Sequence, residues 1–370
     1  MAKKLNILIL DPFHTGSHAH WSRSLEQRWG ELPNRRITLC TLPGRHWKWR
    51  MHSASAEFAR RCQPMTETPD AIICTDMMDV SSFKGLLRRD WQHLPVIQYF
   101  HENQITFPWS PTDPDVQKGR DRTYGMINIL SAMAADAIWF NSDFHRKHFI
   151  SAIATFMGPM PDGTKAFTDH PFEAKSQTLP IGIEWKREID CLRPCNTPPT
   201  IVWNHRWEFD KAPAYFYRVL NHLQAHAVPF SLILLGPKFE TEPDVLLRLT
   251  TQFRRNIIHE GFAPDRSTYA ELLHRSDFVI HSPKQEYFGI SVLEAMSCGV
   301  IPLLGKGNAY DDWCDEQFLV DDFETIRMRF EAIAQHPEPS RQRAREIASQ
   351  FQWDTVVRSY DNALVKLIKA

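Results

Sequence analysis

The segment Ser282-Pro-Lys-Gln-Glu286-Tyr-Phe-Gly289-Ile-Ser-Val-Leu-Glu294-Ala-Met-Ser-Cys-Gly299 carries two glutamates in the spacing E-x7-E. It leaves an apolar run, turns at Pro283 and opens a helix near Gly289, so Glu286 belongs to the loop and Glu294 to the helix, a little over one turn in. Free amides and the dipole at such a helix start favour an anion. The two carboxylates can then address different parts of one extended ligand. For two glutamates alone, a capped surface helix with solvated side chains is the plain alternative. A second group, Trp203-Asn-His-Arg206-Trp-Glu-Phe-Asp-Lys211, ends another apolar run. Its Arg206 and Lys211, five positions apart across a turn, suit a diphosphate, although an isolated pair of this kind is more often a solvated face.

Three further features could carry chemistry. Gly44-Arg-His-Trp-Lys-Trp-Arg50, read as a polar loop, interleaves basic and aromatic residues, which suits phosphate contacts together with stacking on an unpaired base. The alternative is that Trp47 and Trp49 pack on the domain while Arg45, Lys48 and Arg50 are solvated. His101 ends an apolar run with Glu102 and Asn103 beside it, and either faces a ligand or satisfies a backbone group. Asn141-Ser142 ends the next run. Asp311-Asp312 and Asp321-Asp322 follow no apolar strand with the spacing of metal ligands and are expected to be solvated or capping.

The elements that must position these groups alternate. Strands are expected at 5–10, 36–42, 71–75, 96–100 and 137–140, and helices around Trp21 to Trp29, at 54–62, 83–89, 126–134 and 145–154, with 13–18 as a polar loop. The rhythm resumes with strands at 200–203, 231–235, 256–259 and 278–281 and helices at 212–225, 244–254 and 265–274. Such alternation implies parallel sheets with helices on both faces, and ligands beyond the carboxyl ends of the strands. Pro-rich and polar stretches at 158–175 and 193–199 place a boundary near residue 190, giving domains 1–190 and 191–345 and a last helical segment 346–370.

At 370 residues, two domains are the natural division. No stretch approaches the roughly 20 apolar residues of a membrane span, and the start of the chain has too short an apolar run for a signal peptide. A cytoplasmic protein without a membrane partner is expected. Lys plus Arg number 43 against 44 Asp plus Glu, so a polyanion has to be bound by a local patch rather than by the overall field. Cys40, Cys62, Cys74, Cys191, Cys195, Cys298 and Cys314 form no C-x-x-C pair and read as reduced thiols.

The R-x4-K and E-x7-E groups together resemble the retaining, nucleotide-sugar-dependent glycosyltransferases of family 4. That resemblance implies an α/β protein of the GT-B fold, two Rossmann-like doubly wound domains facing across a cleft. It implies that Arg206 and Lys211 hold the donor diphosphate, Glu286 contacts the sugar, Tyr287, Phe288, Gly289 and Ile290 offer backbone amides, and Glu294 holds the ribose. It further implies that Gly16 approaches the donor phosphate, that His101 lies near the sugar and leaving group, and that Gly261, Phe262 and Ala263 adjoin the nucleobase. Phe351-Gln-Trp353-Asp-Thr-Val-Val resembles the segment that crosses back to the first domain.

A narrower resemblance rests on His14-Thr-Gly-Ser17-His18, Leu42-Pro-Gly-Arg-His-Trp-Lys-Trp-Arg-Met51, Tyr99-Phe-His-Glu-Asn-Gln104, Tyr124-Gly-Met-Ile-Asn128, Phe140-Asn-Ser142 and Trp203 to Asp210. These strings look like the tRNA-queuosine mannosyltransferase family. That likeness implies retaining transfer of mannose from GDP-mannose to the cyclopentene diol of queuosine in the anticodon of tRNA-Asp, by a monomer that needs no cofactor or metal. The acceptor side would comprise His14, Ser17, His18, Arg45, Trp47, Lys48, Trp49, Arg50, Glu102, Asn103 and Asn141. Gly305-Lys-Gly-Asn-Ala-Tyr310 departs from the Pro- and Leu-rich segment of the family pattern. The rivals are a family 4 transferase with another donor or a small glycan or lipid acceptor, and a non-catalytic tRNA-binding protein.

Overall fold

A computed structural model describes residues 4–184, 193–236 and 244–369. The chain forms two units, one of residues up to Gly182 together with Trp353 onwards, the other Ile183–Gln352. The division thus falls earlier than the expected boundary near 190, which lies outside the described residues, and the return to the first unit comes at Trp353 rather than 346.

The first unit holds β1 (Leu5–His14), β2 (Arg35–Pro43), β3 (Ala71–Thr75), β4 (Val96–Phe100), β5 (Ala137–Phe140) and β6 (Ser176–Thr178). Its helices are α1 (Gly16–Gly30), α2 (Trp47–Cys62), α3 (Val80–Leu86), α4 (Pro114–Gln117), α5 (Arg122–Ala134), α6 (Asp143–Met157) and α7 (Lys165–Thr168). The second unit holds β7 (Thr200–Trp203), β8 (Ser231–Leu234), β9 (Ile257–Glu260), β10 (Phe278–His281), β11 (Ile301–Gly305) and β12 (Leu319–Val320). Between and after these strands run α8 (Pro213–Ala225), α9 (Asp244–Gln252), α10 (Arg266–His274), α11 (Ile290–Ser297), α12 (Tyr310–Trp313), α13 (Phe323–Gln335) and α14 (Glu338–Ser349); α15 (Trp353–Lys369) returns to the first unit.

Each sheet has six strands, in the orders β2-β1-β3-β4-β5-β6 and β12-β11-β10-β7-β8-β9, and the strands pair in parallel. Both faces of such a sheet are covered, which is why β3, β4, β5, β7 and β10 are continuous buried runs. In each sheet the order reverses next to the first strand, between β1 and β3 and between β7 and β10, the place where sheets of this kind bind ligands at the strand ends. α15 is fixed to the first unit by Tyr360, whose hydroxyl lies 2.9 Å from Trp21 Nε1 and 3.0 Å from the Tyr99 hydroxyl, and by an Arg35–Asp361 pair at 2.5 Å. In the second unit buried Asp277 receives Arg193 at 2.8 Å and Arg341 at 2.5 Å, tying α14 to the start of β10.

Two expectations need correction. β1 runs on through Pro12 to His14 with a register shift after Asp11, the kind of irregularity that accommodates a proline, so the loop of 13–18 shrinks to one residue before α1. The basic aromatic segment is not a loop either: α2 begins at Trp47 after His46, which adopts a left-handed φ of 55° and gives no side-chain cap. No helix among the described residues is long and apolar enough to cross a membrane. The six described cysteines are unbridged, and burial pushes the thiols of Cys62 and Cys314 up to about 12, which makes them unreactive.

Candidate active site

In the second unit the loops leaving β7 and β10 meet where the strand order reverses. The Lys284 amide donates to the Asp210 carbonyl at 2.8 Å, joining the two loops. Lys211 Nζ lies 2.8 Å from Glu286 Oε2 and 3.3 Å from Asp210 Oδ2. Burial alone would lower the lysine's affinity for its proton, but Glu286 and Asp210 hold it raised; burial likewise pushes Glu286 up, and Lys211 outweighs it and keeps the carboxylate ionised. Oε1 of Glu286 also accepts from the Phe288 amide at 3.3 Å. The carboxylate therefore sits on one cation and one amide at the approach to a helix, the donor set that an oxygen of a diphosphate would take.

Gly289 caps α11 with φ +94°, and a Cβ there would stand 2.6 Å from the Tyr310 ring, so glycine is required both by backbone and by space. Tyr287 and Phe288 are buried beside it, and Ile290 opens the helix. Glu294, on the second turn, pairs with Arg266 at 2.8 Å and accepts from the Tyr269 hydroxyl at 3.1 Å. Arg206 is half exposed and pairs with Glu208 at 2.9 Å, free of the Lys211–Glu286 pair. After β9, Gly261 has φ +128° and Phe262 is 70 % exposed.

Sequence reasoning missed what lies beneath. His205 stacks on His281 with ring centroids 3.6 Å apart; their Nδ1 atoms meet the Ser291 hydroxyl at 2.8 Å and the Tyr310 hydroxyl at 2.5 Å. Burial holds both imidazoles well below their ordinary pKa, so they are neutral. Asn308 Oδ1 accepts the Glu286 amide at 2.8 Å, and Asn204 donates to Tyr269 and to the Ser291 carbonyl. A polar residue directly after an apolar strand was the available signal for Asn204 and His205. Nothing local marked Asn308 or Tyr310. Asp322 caps α13 through the Thr325 amide at 2.7 Å and Asp321 pairs with Lys306 at 3.1 Å, the capping and solvated roles expected of them.

In the first unit Gly16 opens α1 with φ +51° and no atom within 4 Å of an added Cβ, so backbone conformation rather than crowding selects glycine. Ser17 is exposed and His18 buried. His14 is not a free loop residue: its Nδ1 lies 2.7 Å from buried Asp11, and its Nε2 accepts from Arg23 at 2.9 Å. His101 is buried against His18, Trp21 and Tyr99, at centroid distances of 4.2, 4.9 and 4.8 Å, and burial, then His18 and His145, hold it well below its ordinary pKa. Asn141 supports it, donating to the His101 carbonyl at 2.8 Å and meeting His145 Nδ1 at 2.8 Å. Asn103 is spent on its own turn, accepting from the amides of Ile105 and Thr106 at 3.0 Å. Glu102 receives Gln104 Nε2 at 3.0 Å.

The basic aromatic segment divides. Trp47 packs with Trp109 and Tyr124, and Lys48 lies between Asp113 at 2.6 Å and Asp115 at 2.5 Å, over the same three rings. Its charge is therefore compensated locally, against the expectation that it is open to phosphate. Trp49 is 62 % exposed, Arg45 is exposed and Arg50 half-buried.

The likeness to known proteins falls in the same places. Residues 191–335 match the family described as glycosyl transferases group 1, and residues 6–183 match tRNA-queuosine alpha-mannosyltransferase N-terminal. The sucrose-phosphate synthase of Thermosynechococcus elongatus superposes with a TM-score of 0.71 over 99% of each chain at 12% identity. The two parallel sheets, their strand order and the group 1 match make this chain a glycosyltransferase of the GT-B fold class. A tRNA-queuosine alpha-mannosyltransferase of Drosophila melanogaster is 26% identical over 360 residues, 95% of this chain and 93% of that one. A GDP-mannose:cellobiosyl-diphosphopolyprenol alpha-mannosyltransferase of Xanthomonas oryzae is 22% identical over 171 residues, 44% of this chain and 45% of that one. Along 95% of its length, the chain is thus similar to the tRNA-queuosine alpha-mannosyltransferase family.

Proposed function

We propose that this enzyme transfers mannose from GDP-mannose to the cyclopentene diol of queuosine in the anticodon of tRNA-Asp, with retention of configuration. The observation that carries the reading is the Lys211–Glu286 pair at the approach to α11, a carboxylate held on a cation and an amide. An incoming diphosphate takes over Lys211 and gains Arg206, and Glu286, released, turns to the sugar. Positive charge fixed at the leaving group stabilises the developing anion, so the step needs no metal. Glu286 is bound to Lys211 and is not placed as a nucleophile; the leaving phosphate takes the acceptor proton on the same face of the sugar. Glu294, held by Tyr269 and Arg266, takes the ribose hydroxyls, and exposed Phe262 offers a face to the base. Neutral His101 is suited to a hydrogen bond with a sugar hydroxyl, since an uncharged imidazole can donate or accept.

The acceptor assignment draws on the Drosophila relative and the donor base on the Xanthomonas one. Trp49, Arg45 and Arg50 form the tRNA contact of α2 and the turn before it. The enzyme works in the cytoplasm as a monomer. Incubating it with queuosine-containing and queuosine-free tRNA and a panel of nucleotide sugars, then analysing nucleosides by mass, tests the reading. One hexose on queuosine from GDP-mannose alone is expected; transfer to queuosine-free tRNA at the same rate, or from UDP-sugars in preference, contradicts it.

A further inference from the structure

Three donor groups converge in the first unit where three neighbouring strands end. His18 follows β1, Asp76 follows β3 and His101 follows β4, and these strands are consecutive in the sheet. All three are buried, at 6, 2 and 7 % exposure. One ring nitrogen of each histidine and one carboxylate oxygen of Asp76 lie within 4.8 Å of one another, and the two rings stand 4.2 Å apart. The Asp76 carboxylate accepts from the amides of His101 at 3.2 Å and Glu102 at 3.4 Å, which orient it. Neither ring nitrogen of His101 has a hydrogen-bond partner among the described residues. Buried polar groups are normally satisfied, so an imidazole in this state, turned to a carboxylate and a second imidazole, marks a place for a ligand. Two imidazoles and a carboxylate form the donor set of a divalent transition ion with one position left open.

We propose that His18, Asp76 and His101 bind a divalent transition-metal ion of the zinc type, and that its occupancy inhibits transfer by engaging the His101 nitrogen. The second half of this statement rests on the function proposed above. Metal–ligand bonds of about 2.0–2.2 Å set donor atoms roughly 3.3 Å apart, so the group tightens on binding through side-chain rotation. The amides on Asp76 supply the outer hold that such ligands require.

The test uses the full chain carrying His222→Gln and His226→Gln, which removes the other group of metal-ligating side chains among the described residues, His222, His226 and Glu324. Titration with Co2+ is followed by its visible absorption and Zn2+ is used to displace it. One Co2+ per chain is expected, with affinity lowered at least tenfold by Asp76→Asn and by His18→Gln, each checked for folding by thermal melting. Zn2+ should reduce transfer at least tenfold and a chelator should restore it, whereas in Asp76→Asn the turnover with Zn2+ should match that variant's own turnover without it, whatever its basal rate. Absence of stoichiometric Co2+ binding, or binding unaltered in both variants, overturns the site. Binding at the site without inhibition overturns the inhibitory role. Because the spectrum needs no transfer, it reports on the site even if the proposed reaction proves wrong.

Discussion

The strand ends of the two units carry different electrostatics on the same architecture. In the second unit the carboxylates of the site are matched with cations, Glu286 with Lys211 and Glu294 with Arg266. In the first unit the corresponding place holds imidazoles, aromatic rings and a carboxylate, Asp76, served only by amides. A matched pair is a site in waiting: the carboxylate keeps the buried cation satisfied and gives way to a stronger anion. The imidazole cluster offers neutral donors and acceptors, suited to hydroxyls. Under the proposed function, this contrast puts the work on the leaving group in the second unit and recognition of uncharged groups in the first.

Breaking the second unit's pair should have the largest effect. Glu286→Ala is expected to lower kcat about a hundredfold, roughly 2.7 kcal/mol of transition-state stabilisation, with a smaller change in donor KM. Steady-state kinetics decides it, and a change in KM alone would show that Glu286 only binds.

The first unit is sharpened by separating two tryptophans two residues apart. Trp47→Ala opens the packing with Trp109 and Tyr124 and should cost about 2 kcal/mol of stability. Trp49→Ala should leave the melting temperature unchanged while weakening tRNA by roughly 1–3 kcal/mol, the value of one lost stack. Arg45→Ala and Arg50→Ala should flatten the salt dependence of tRNA binding, and Lys48→Ala, whose charge Asp113 and Asp115 already absorb, should not. Equal salt slopes for all three variants would contradict the division of the segment.

Both units share one acid liability. Burial holds His101 and His145 in the first and His205 and His281 in the second well below the ordinary histidine pKa. Above about pH 6.5 folded and unfolded chains both carry these rings neutral. Below it the unfolded chain takes up protons that the folded chain refuses, so stability falls with pH, by about 1.4 kcal/mol per unit for each such histidine. Thermal melts from pH 7.5 to 5.5 should show this decline, and His281→Gln should lessen its slope; an unchanged slope in the variant would remove His281 from the explanation.

The smallest kinetic effect belongs to Glu294. Glu294→Ala should raise the donor KM about tenfold with kcat little changed, because the ribose is bound alike in ground and transition states.

The strands were legible because parallel strands covered on both faces are uninterrupted apolar runs: 71–75, 96–100, 137–140, 200–203 and 278–281 are the observed elements. Edge strand β6, Ser-Gln-Thr, is polar and half-buried and gave no such signal. The start of α2 was hidden because His46 enters it in a left-handed conformation without a capping side chain, and Trp-Lys-Trp-Arg lacks helical periodicity. Of the site, spacing brought out Arg206, Lys211, Glu286 and Glu294, which lie on two loops and one helix. Asp76 stayed unseen, since its relation to His101 exists only through the pairing of β3 with β4.

The most direct measurement is the single-turnover rate of mannosyl transfer from saturating GDP-mannose to queuosine-containing tRNA by wild type and Lys211→Ala. A fall of about a hundredfold with unchanged tRNA affinity is the expected result. Near wild-type transfer by the variant would contradict the assignment of the leaving diphosphate to the second unit's lysine.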